Sequence, residues 1–470
     1  MGKAVLATPR HMADSKRSDF DLVIGKSSVR IERSGLMRSI SHEAELVKSF
    51  APEKEAKIMK LRKCLLSVLP FCVLMNSASQ TVPSGFLSSR PNASAEEIVL
   101  PMPTGPYRVG RASFHRIDPS RPETFTEDPT DNRQVLFHIW YPAEPAGGTV
   151  APYVDQLPDD EVFRYSFVGI DRLMKTRSHS FTDVKVSRRR TRYPVVIFSH
   201  GLGRVSAHYT TFLENLASHG YVVVGVDSPF FSSALKMPDG QVIQNKSQRN
   251  QRPGAREEEA IIQAQDLIFV LNELDRLNKK GSVIGLAGRF DLSHVGVFGH
   301  SRGGFTAPHA CLLESRFRAC LNLDGYGLTP DVMEKGIRQP YMHIEELAPW
   351  LPPPTDEELA RANQTREEAN KQAREAEQQR EKTFSKMSSG VYLVTVTGAM
   401  HNSFSDMPFI APERYSNIKI EAERALTITN AYLLAFFDRY LRGRPQTLLK
   451  GSNPMFPEVT LTVYQQRKHK

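Results

Sequence analysis

The sequence predicts an α/β fold, a mostly parallel central sheet with helices on both faces. Three observations predict it. Six short runs are apolar on both of their alternating sides, as strands covered on each face must be. Segments of helical period stand between several of them. Glycine or proline closes most of the runs. Strands that alternate with helices in this way pair in parallel through crossover connections.

The elements follow in order. "QVLFHIWYP", residues 134–142, reads as a strand that stops at Pro142. "YPVVIFSHG" (193–201) is a β-branched and aromatic run ending in glycine, the first fully apolar strand. "HYTTFLENLASHG" (208–220) carries a helical pattern with Gly220 as its stop. "YVVVGVDSP" (221–229) is the second buried strand. Residues 256–278 place Ile261, Ile262, Leu267, Ile268, Leu271, Leu274 and Leu277 at helical spacing. "HVGVFGHS" (294–301) is the third strand and "FTAPHACLLES" the helix after it. "FRACLNLDG" (317–325), "QPYMHIEE" (339–346) and "GVYLVTVTG" (390–398) complete the set. Between the last two lies 355–387, strongly charged and poor in large apolar residues, which reads as an exposed helical insertion.

The chain of 470 residues carries a net charge of +9, but the excess is uneven. Residues 1–63 hold 14 Lys and Arg against 8 Asp and Glu, a net +6, which leaves only +3 for the rest. The run Arg188-Arg189-Arg190 has no interleaved aromatics and reads as a solvated turn, so nucleic acid is not an expected partner. In "MKLRKCLLSVLPFCVLMNSAS" (59–79), three basic residues precede an uncharged apolar stretch and small residues follow it. That is the pattern of a secretory signal, too short for a comfortable membrane anchor. Met59 then reads as the true start, with 1–58 an upstream extension, and a secreted or periplasmic protein is expected. Residues 80–105 read as a linker or arm, 106–447 as the catalytic domain and 448–470 as a tail. Cys64 and Cys72 belong to the signal segment. Cys311 and Cys320 remain, as a disulfide or as two buried thiols.

The chemistry centres on Gly299-His300-Ser301-Arg302-Gly303-Gly304. A lone G-x-S-x-G is a weak signal, arising by chance in roughly one chain in ten of this length. Here it ends a buried strand and opens a helix, the setting in which a strained turn lifts a serine above the sheet edge. A serine hydroxyl needs a base and an orienting acid. Of the downstream histidines, His309 lies in the helix behind the turn, His343 within a strand and His469 near the terminus. His401 follows the last strand at the carboxyl edge, where ligands gather, and is the expected base. Asp324 ends the strand after the turn and is the leading acid, with Gly325 allowing close approach. Glu345 and Glu346 are its rivals, Asp406 reads as a helix cap, and Asp227 precedes the serine. The developing oxyanion needs backbone donors, expected from Arg302 at the helix start and Leu202 in "SHGLGR".

"FSHGLG", "LASHGYVVVGVD", "GHSRGG", "RFRACLNLDGY" and "GAMHNSFSD", in that order, closely resemble the secreted type of platelet-activating factor acetylhydrolase. "GPYRVG" and "IWYPAEP" resemble that family's N-terminal strands, so the likeness spans roughly 100–445. The resemblance implies an α/β-hydrolase fold and a calcium-independent esterase of short acyl esters, such as acetylated or oxidised phospholipids, with no metal or cofactor. It also implies Ser301, Asp324 and His401 as a triad, favours Asp324 over Glu345, and supports Leu202 and Arg302 as oxyanion donors. Two features depart from the family: Arg302 stands where a bulky apolar residue is expected, and 355–387 has no counterpart. Wider relatives resembling dienelactone and polyester hydrolases make a broad carboxylesterase the alternative, with a non-catalytic binding protein a third reading. "LAPWLPPP" and "FRYSFVGI" are candidate contacts to a lipid surface, though such stretches are more often core or lid.

Overall fold

The computed structural model describes residues 97–155, 169–247, 252–280, 284–346 and 364–464, together with 21–24, 27–30, 356 and 359. The signal-like segment 59–79, His469, the stretch 347–354 and most of "FRYSFVGI" lie outside the described residues, as does most of the extension 1–58. The chain divides into two units, Met1–Gly85 and Phe86–Lys470. In the first, β1 (Asp21–Ile24) and β2 (Ser27–Arg30) form an antiparallel hairpin.

The second unit holds one large sheet. Its strands are β3 (Ile98–Val99), β4 (Arg108–Pro122), β5 (Asn132–Ala143), β6 (Thr149–Pro152), β7 (Thr176–Thr182), β8 (Tyr193–Ser199) and β9 (Val222–Asp227), followed, after a small hairpin of β10 (Ala234–Lys236) and β11 (Val242–Gln244), by β12 (Phe290–His300), β13 (Phe317–Leu323), β14 (Tyr341–Glu346), β15 (Val391–Val396) and β16 (Val459–Tyr464). Across the sheet the order is β16-β15-β14-β13-β12-β8-β9-β5-β4-β7-β3, with β6 against β7. From β15 to β9 every pairing is parallel. Strands β5 and β16 add antiparallel neighbours on either side of that block. The six expected apolar runs are the six parallel strands.

The helices are α1 (Ile170–Lys175), α2 (Thr210–Ser218), α3 (Ala255–Lys280), α4 (Arg302–Leu313), α5 (Pro330–Lys335), α6 (Arg366–Phe384), α7 (Met407–Ile410) and α8 (Ala422–Arg442). Strand alternation explains how they cover the sheet. Val195, Ile197, Val295 and Val297 point into one core with Leu267, Val270 and Leu271 of α3 and Ala307 of α4. Their neighbours Val196, Phe198 and Phe298 point into the other, with Phe212 and Leu216 of α2 and Leu433 and Phe436 of α8. Each fully buried Val, Ile, Leu or Phe side chain among them contributes about 1.5–3 kcal/mol.

Two expectations need correction. Residues 448–470, read as a tail, carry β16, which pairs with β15 from Val391↔Tyr464 to Val396↔Val459. Its sequence "VTLTVY" alternates apolar and polar as an edge strand does, so it lacks the continuous apolar run that marks the inner strands. The arm before residue 106 is fastened at its described end. Ile98 and Val99 pair with β7, and the backbone N–H of Thr104 donates to Asn215 Oδ1 at 3.0 Å. The charged insertion forms α6, started by a capping box between Thr365 and Glu368. Only its last turn is buried, through Thr383 and Phe384. Cys311 and Cys320 are free thiols, buried in the first core.

Candidate active site

Strand order reverses between β8 and β12: β9 lies beyond β8, and β13 beyond β12. The loops leaving two such strands at their carboxyl ends diverge and open a crevice. The loop after β8 carries His200, Gly201 and Leu202. The turn after β12 carries Ser301.

Ser301 is the residue before α4, with φ 55° and ψ −116°, a region that costs a side chain about 1–3 kcal/mol. Packing over-determines it. A Cβ on Gly303 would lie 2.0 Å from the Ser199 carbonyl oxygen, and one on Gly299 would lie 2.3 Å from Gly303, so strand and helix cross at backbone contact. The Ser301 N–H donates to Leu323 O at 2.9 Å, which ties the turn to the end of β13.

Asp324 sits directly beyond that end and also has positive φ, 52°, a region Asp tolerates better than most residues. Its turn is clamped by the buried Asn322, whose Oδ1 accepts from Gly325 N at 2.7 Å and whose amide donates to Gly325 O at 2.9 Å. The Asp324 N–H donates to Ile344 O at 2.7 Å. The Glu346 N–H donates to Asp324 Oδ1 at 3.0 Å, which leaves Oδ2 aimed at His401. His401 opens the turn after β15. Its Nδ1 lies 2.5 Å from Asp324 Oδ2 and its Nε2 2.8 Å from Ser301 Oγ. Carboxylate, imidazole and hydroxyl therefore form one hydrogen-bonded line with the ring held at both nitrogens.

The rivals are occupied elsewhere. Glu345 takes an ion pair from Arg380 of α6 at 3.1 Å. Glu346 accepts from Tyr326 Oη at 2.7 Å, and burial, with Asp324 beside it, raises its pKa. Asp227 accepts the Ser206 N–H at 2.6 Å and pairs with His138 at 3.2 Å. Asp406 is at the N-cap position of α7, but its side chain does not cap that helix. It accepts instead from Thr211 Oγ1 at 2.6 Å and Tyr153 Oη at 3.0 Å, and burial pushes its pKa up to about 6. The expected cap is thus a buried strut between elements far apart in sequence. His309 bonds Thr329 at 2.9 Å within the core, and His343 is buried in β14.

For the oxyanion donors, Arg302 is the first residue of α4, where backbone N–H groups have no intrahelical acceptor. Gly201, next to Leu202, packs so closely that a Cβ on it would be 3.2 Å from Ser301 Cβ. The loop carrying Leu202 therefore lies against the serine. The Arg302 side chain turns the other way, into the core: Nη2 pairs with Glu259 Oε2 at 2.5 Å and Nε donates to Gln263 Oε1 at 3.0 Å, both on α3. At this position the charged residue is packed as a core residue. Removing one member of a buried pair leaves an uncompensated charge, so Arg302→Ala is expected to destabilise the fold by about 3–5 kcal/mol. Denaturant unfolding checks this.

A second serine, histidine and aspartate also meet, at Ser113, His138 and Asp227, with 2.8 and 3.2 Å contacts. There the imidazole lies between Asp155 and Asp227, whose hydrogen bonds outweigh burial and raise its pKa. The Ser113 hydroxyl donates to Asp155 Oδ2 and lies within β4 rather than on a nucleophile turn, so its proton is not aimed at the ring and this cluster is structural.

Sequence reasoning did not assign roles to Tyr326, whose ring stacks on His401 at 5.4 Å between centroids, or to Tyr209 and His300. The Asn322 clamp was visible as a short polar residue three positions before a glycine.

Comparison with known proteins gives the family and the fold. Residues 92–446 match the family model described as platelet-activating factor acetylhydrolase, isoform II. A probable 1-alkyl-2-acetylglycerophosphocholine esterase of Arthroderma benhamiae is 23% identical over 419 residues, covering 83% of this chain and 97% of that protein. A platelet-activating factor acetylhydrolase of Cavia porcellus is 24% identical over 409 residues, 77% of this chain and 84% of the relative. Among solved structures, a ferulic acid esterase from Streptomyces cinnamoneus is similar with a TM-score of 0.62 and 27% identity. It covers 77% of this chain and 98% of its own. The fold is that of the α/β-hydrolases.

Proposed function

This chain belongs to the platelet-activating factor acetylhydrolase isoform II family, and from that premise we propose that it removes short acyl groups, acetyl above all, from glycerophosphocholine-like esters by way of a Ser301 acyl-enzyme. It is a carboxylic-ester hydrolase; the substrate class and the residue roles are the proposal. The observation that supports them best is the continuous line from Asp324 through His401 to Ser301 at the start of α4.

In the first half-reaction His401 Nε2 takes the Ser301 proton as Oγ attacks the ester carbonyl. Asp324 holds the Nδ1–H and stabilises the imidazolium. The carbonyl oxygen, now negative, is met by the N–H groups of Leu202 and Arg302, donors that need no reorganisation. His401 returns the proton to the departing alcohol oxygen as the C–O bond breaks. Water then enters, loses a proton to His401 and attacks the acyl carbon. Ser301 leaves with that proton, and the free acid is released.

A series of p-nitrophenyl esters from acetate to palmitate tests the substrate class. The expected result is a kcat/KM that is highest at acetate and falls steeply with chain length. Comparable rates on long chains or on feruloyl esters favour a broad carboxylesterase, the reading to which the ferulic acid esterase likeness lends support. No turnover at any length, in folded protein, favours a binding role. Export is proposed from the segment 59–79 alone. Among the described residues no helix is long and apolar enough to cross a membrane.

A further inference from the structure

We propose that Tyr209 and His300 form a positioning relay that sets the oxyanion loop and the imidazole of His401 together, a role that rests on the Ser301–His401 reading above. The relay is read from four hydrogen-bonding groups in a row. His300 Nε2 faces the carbonyl oxygen of His401 at 3.0 Å. A carbonyl only accepts, so Nε2 carries the ring proton and Nδ1 is left as an acceptor. Tyr209 Oη lies 2.9 Å from that Nδ1 and therefore donates to it. The Tyr209 oxygen in turn accepts the Gly201 N–H at 3.2 Å. Every donor direction in the row is fixed by its one carbonyl end.

The two ends matter to the reaction. At one, the Gly201 N–H fixes the residue just before Leu202, and the next peptide, which presents the Leu202 N–H, is held through its own carbonyl, Gly201 O, 2.7 Å from His200 Nδ1. At the other, the His401 carbonyl is anchored within the residue whose ring spans Ser301 and Asp324. Tyr209 is fully buried and His300 is 3% exposed, so no water replaces a lost partner without rearrangement.

The relay also constrains charge. The rings of His300 and His401 are 4.6 Å apart between centroids at 38°. When His401 takes the Ser301 proton, a second imidazolium beside it would oppose the transfer. His300 is held neutral, its pKa lowered by burial, by His401 and by Arg204. The groups facing it are Tyr209 from the turn at Ser206–Tyr209, His401 and Phe404 from the turn after β15, and Arg204 from the oxyanion loop. The carboxylate of Asp324 also lies within 4.8 Å of the ring, but it is bonded to His401 Nδ1 and to the Glu346 N–H. The Tyr209 O–H adds to this by occupying the lone pair that a proton would otherwise take.

The test measures kcat, KM and the pH profile of kcat/KM on p-nitrophenyl acetate for the wild type, Tyr209→Phe, His300→Gln and His300→Leu, with Ser301→Ala as reference. Tyr209→Phe is expected to lower kcat by about 10–100-fold at nearly constant KM, because donor placement acts in the transition state. It also moves the acid limb to higher pH, since an imidazole that has lost its O–H donor protonates more readily. Gln at 300 offers an N–H to the His401 carbonyl and an oxygen to Tyr209, so His300→Gln recovers most of the activity lost in His300→Leu. Having no titrating ring, the His300→Gln protein shows no shift of the acid limb when Tyr209→Phe is added. Tyr209→Phe with wild-type kcat overturns the relay, and so does a lower kcat with an unmoved limb. Should Tyr209→Phe not fold, the contrast at 300 decides, and equal losses in His300→Gln and His300→Leu overturn it. An active Ser301→Ala ends the reading on which the relay rests, whereas an inactive Ser301→Ala beside an unaffected Tyr209→Phe ends the relay alone.

Discussion

Ser301→Ala is expected to abolish ester hydrolysis, lowering kcat by about 10⁴–10⁶-fold, while the protein keeps its circular dichroism and its unfolding midpoint within a few degrees. The hydroxyl is the only group lost. Alanine, like serine, has a Cβ, so the unusual backbone at this position neither relaxes nor worsens. Removing the nucleophile of a cooperating triad costs about as much as removing all three members, because base and acid have nothing left to act on. Some turnover above water remains from the oxyanion donors and binding. Pre-steady-state measurements with excess p-nitrophenyl acetate check both parts: a burst of p-nitrophenolate is expected from the wild type and none from the variant. A burst that survives the substitution places the nucleophile elsewhere.

The second large effect is expected at Asp324. Asparagine there fits the same space, but its side-chain N–H₂ can turn toward His401 Nδ1, which then becomes the acceptor and puts the proton on Nε2. An imidazole protonated at Nε2 cannot take the Ser301 proton. A loss of about 10⁴-fold in kcat follows, with KM little changed. Glu345→Gln is expected to stay within about threefold of wild type, because its carboxylate serves Arg380 on α6 and does not touch His401. The opposite outcome, an active Asp324→Asn and an inactive Glu345→Gln, would move the acid one strand along the sheet.

How much of this was legible in the sequence follows from what the side chains have to satisfy. The six inner strands stood out because both of their faces are buried, so nearly every position is apolar. Strand β4, "RVGRASFHRIDPSRP", has one face open and many arginines, and β16 alternates with threonine; neither has a signature beyond period two. The nucleophile turn was readable because close crossing of strand and helix demands glycine at fixed offsets from the serine. The placement of His401 beside Ser301 was readable by elimination at the carboxyl edge. Asp324 and Glu346 could not be separated by position alone, since the loops after β13 and β14 converge on the same point. Only their bonds tell them apart: Asp324 reaches the His401 ring, and Glu346 donates its backbone N–H to Asp324. Tyr209 was beyond reach, because an aromatic at the start of a buried helix looks like any core residue until its hydroxyl is seen between Gly201 and His300.

The three members of the Ser301, Asp324 and His401 line sit on three separate connections, unevenly spaced along the chain. Ser301 and Asp324 are separated by one helix and one strand, whereas His401 arrives only after β14, α6 and β15 are in place. Contacts between distant chain segments form late, because loop closure must be met before they reward it. During refolding from denaturant, helical signal and buried-tryptophan fluorescence (Trp140 sits in the core) should therefore recover ahead of turnover. Regained catalysis marks the closing event of assembly in this molecule.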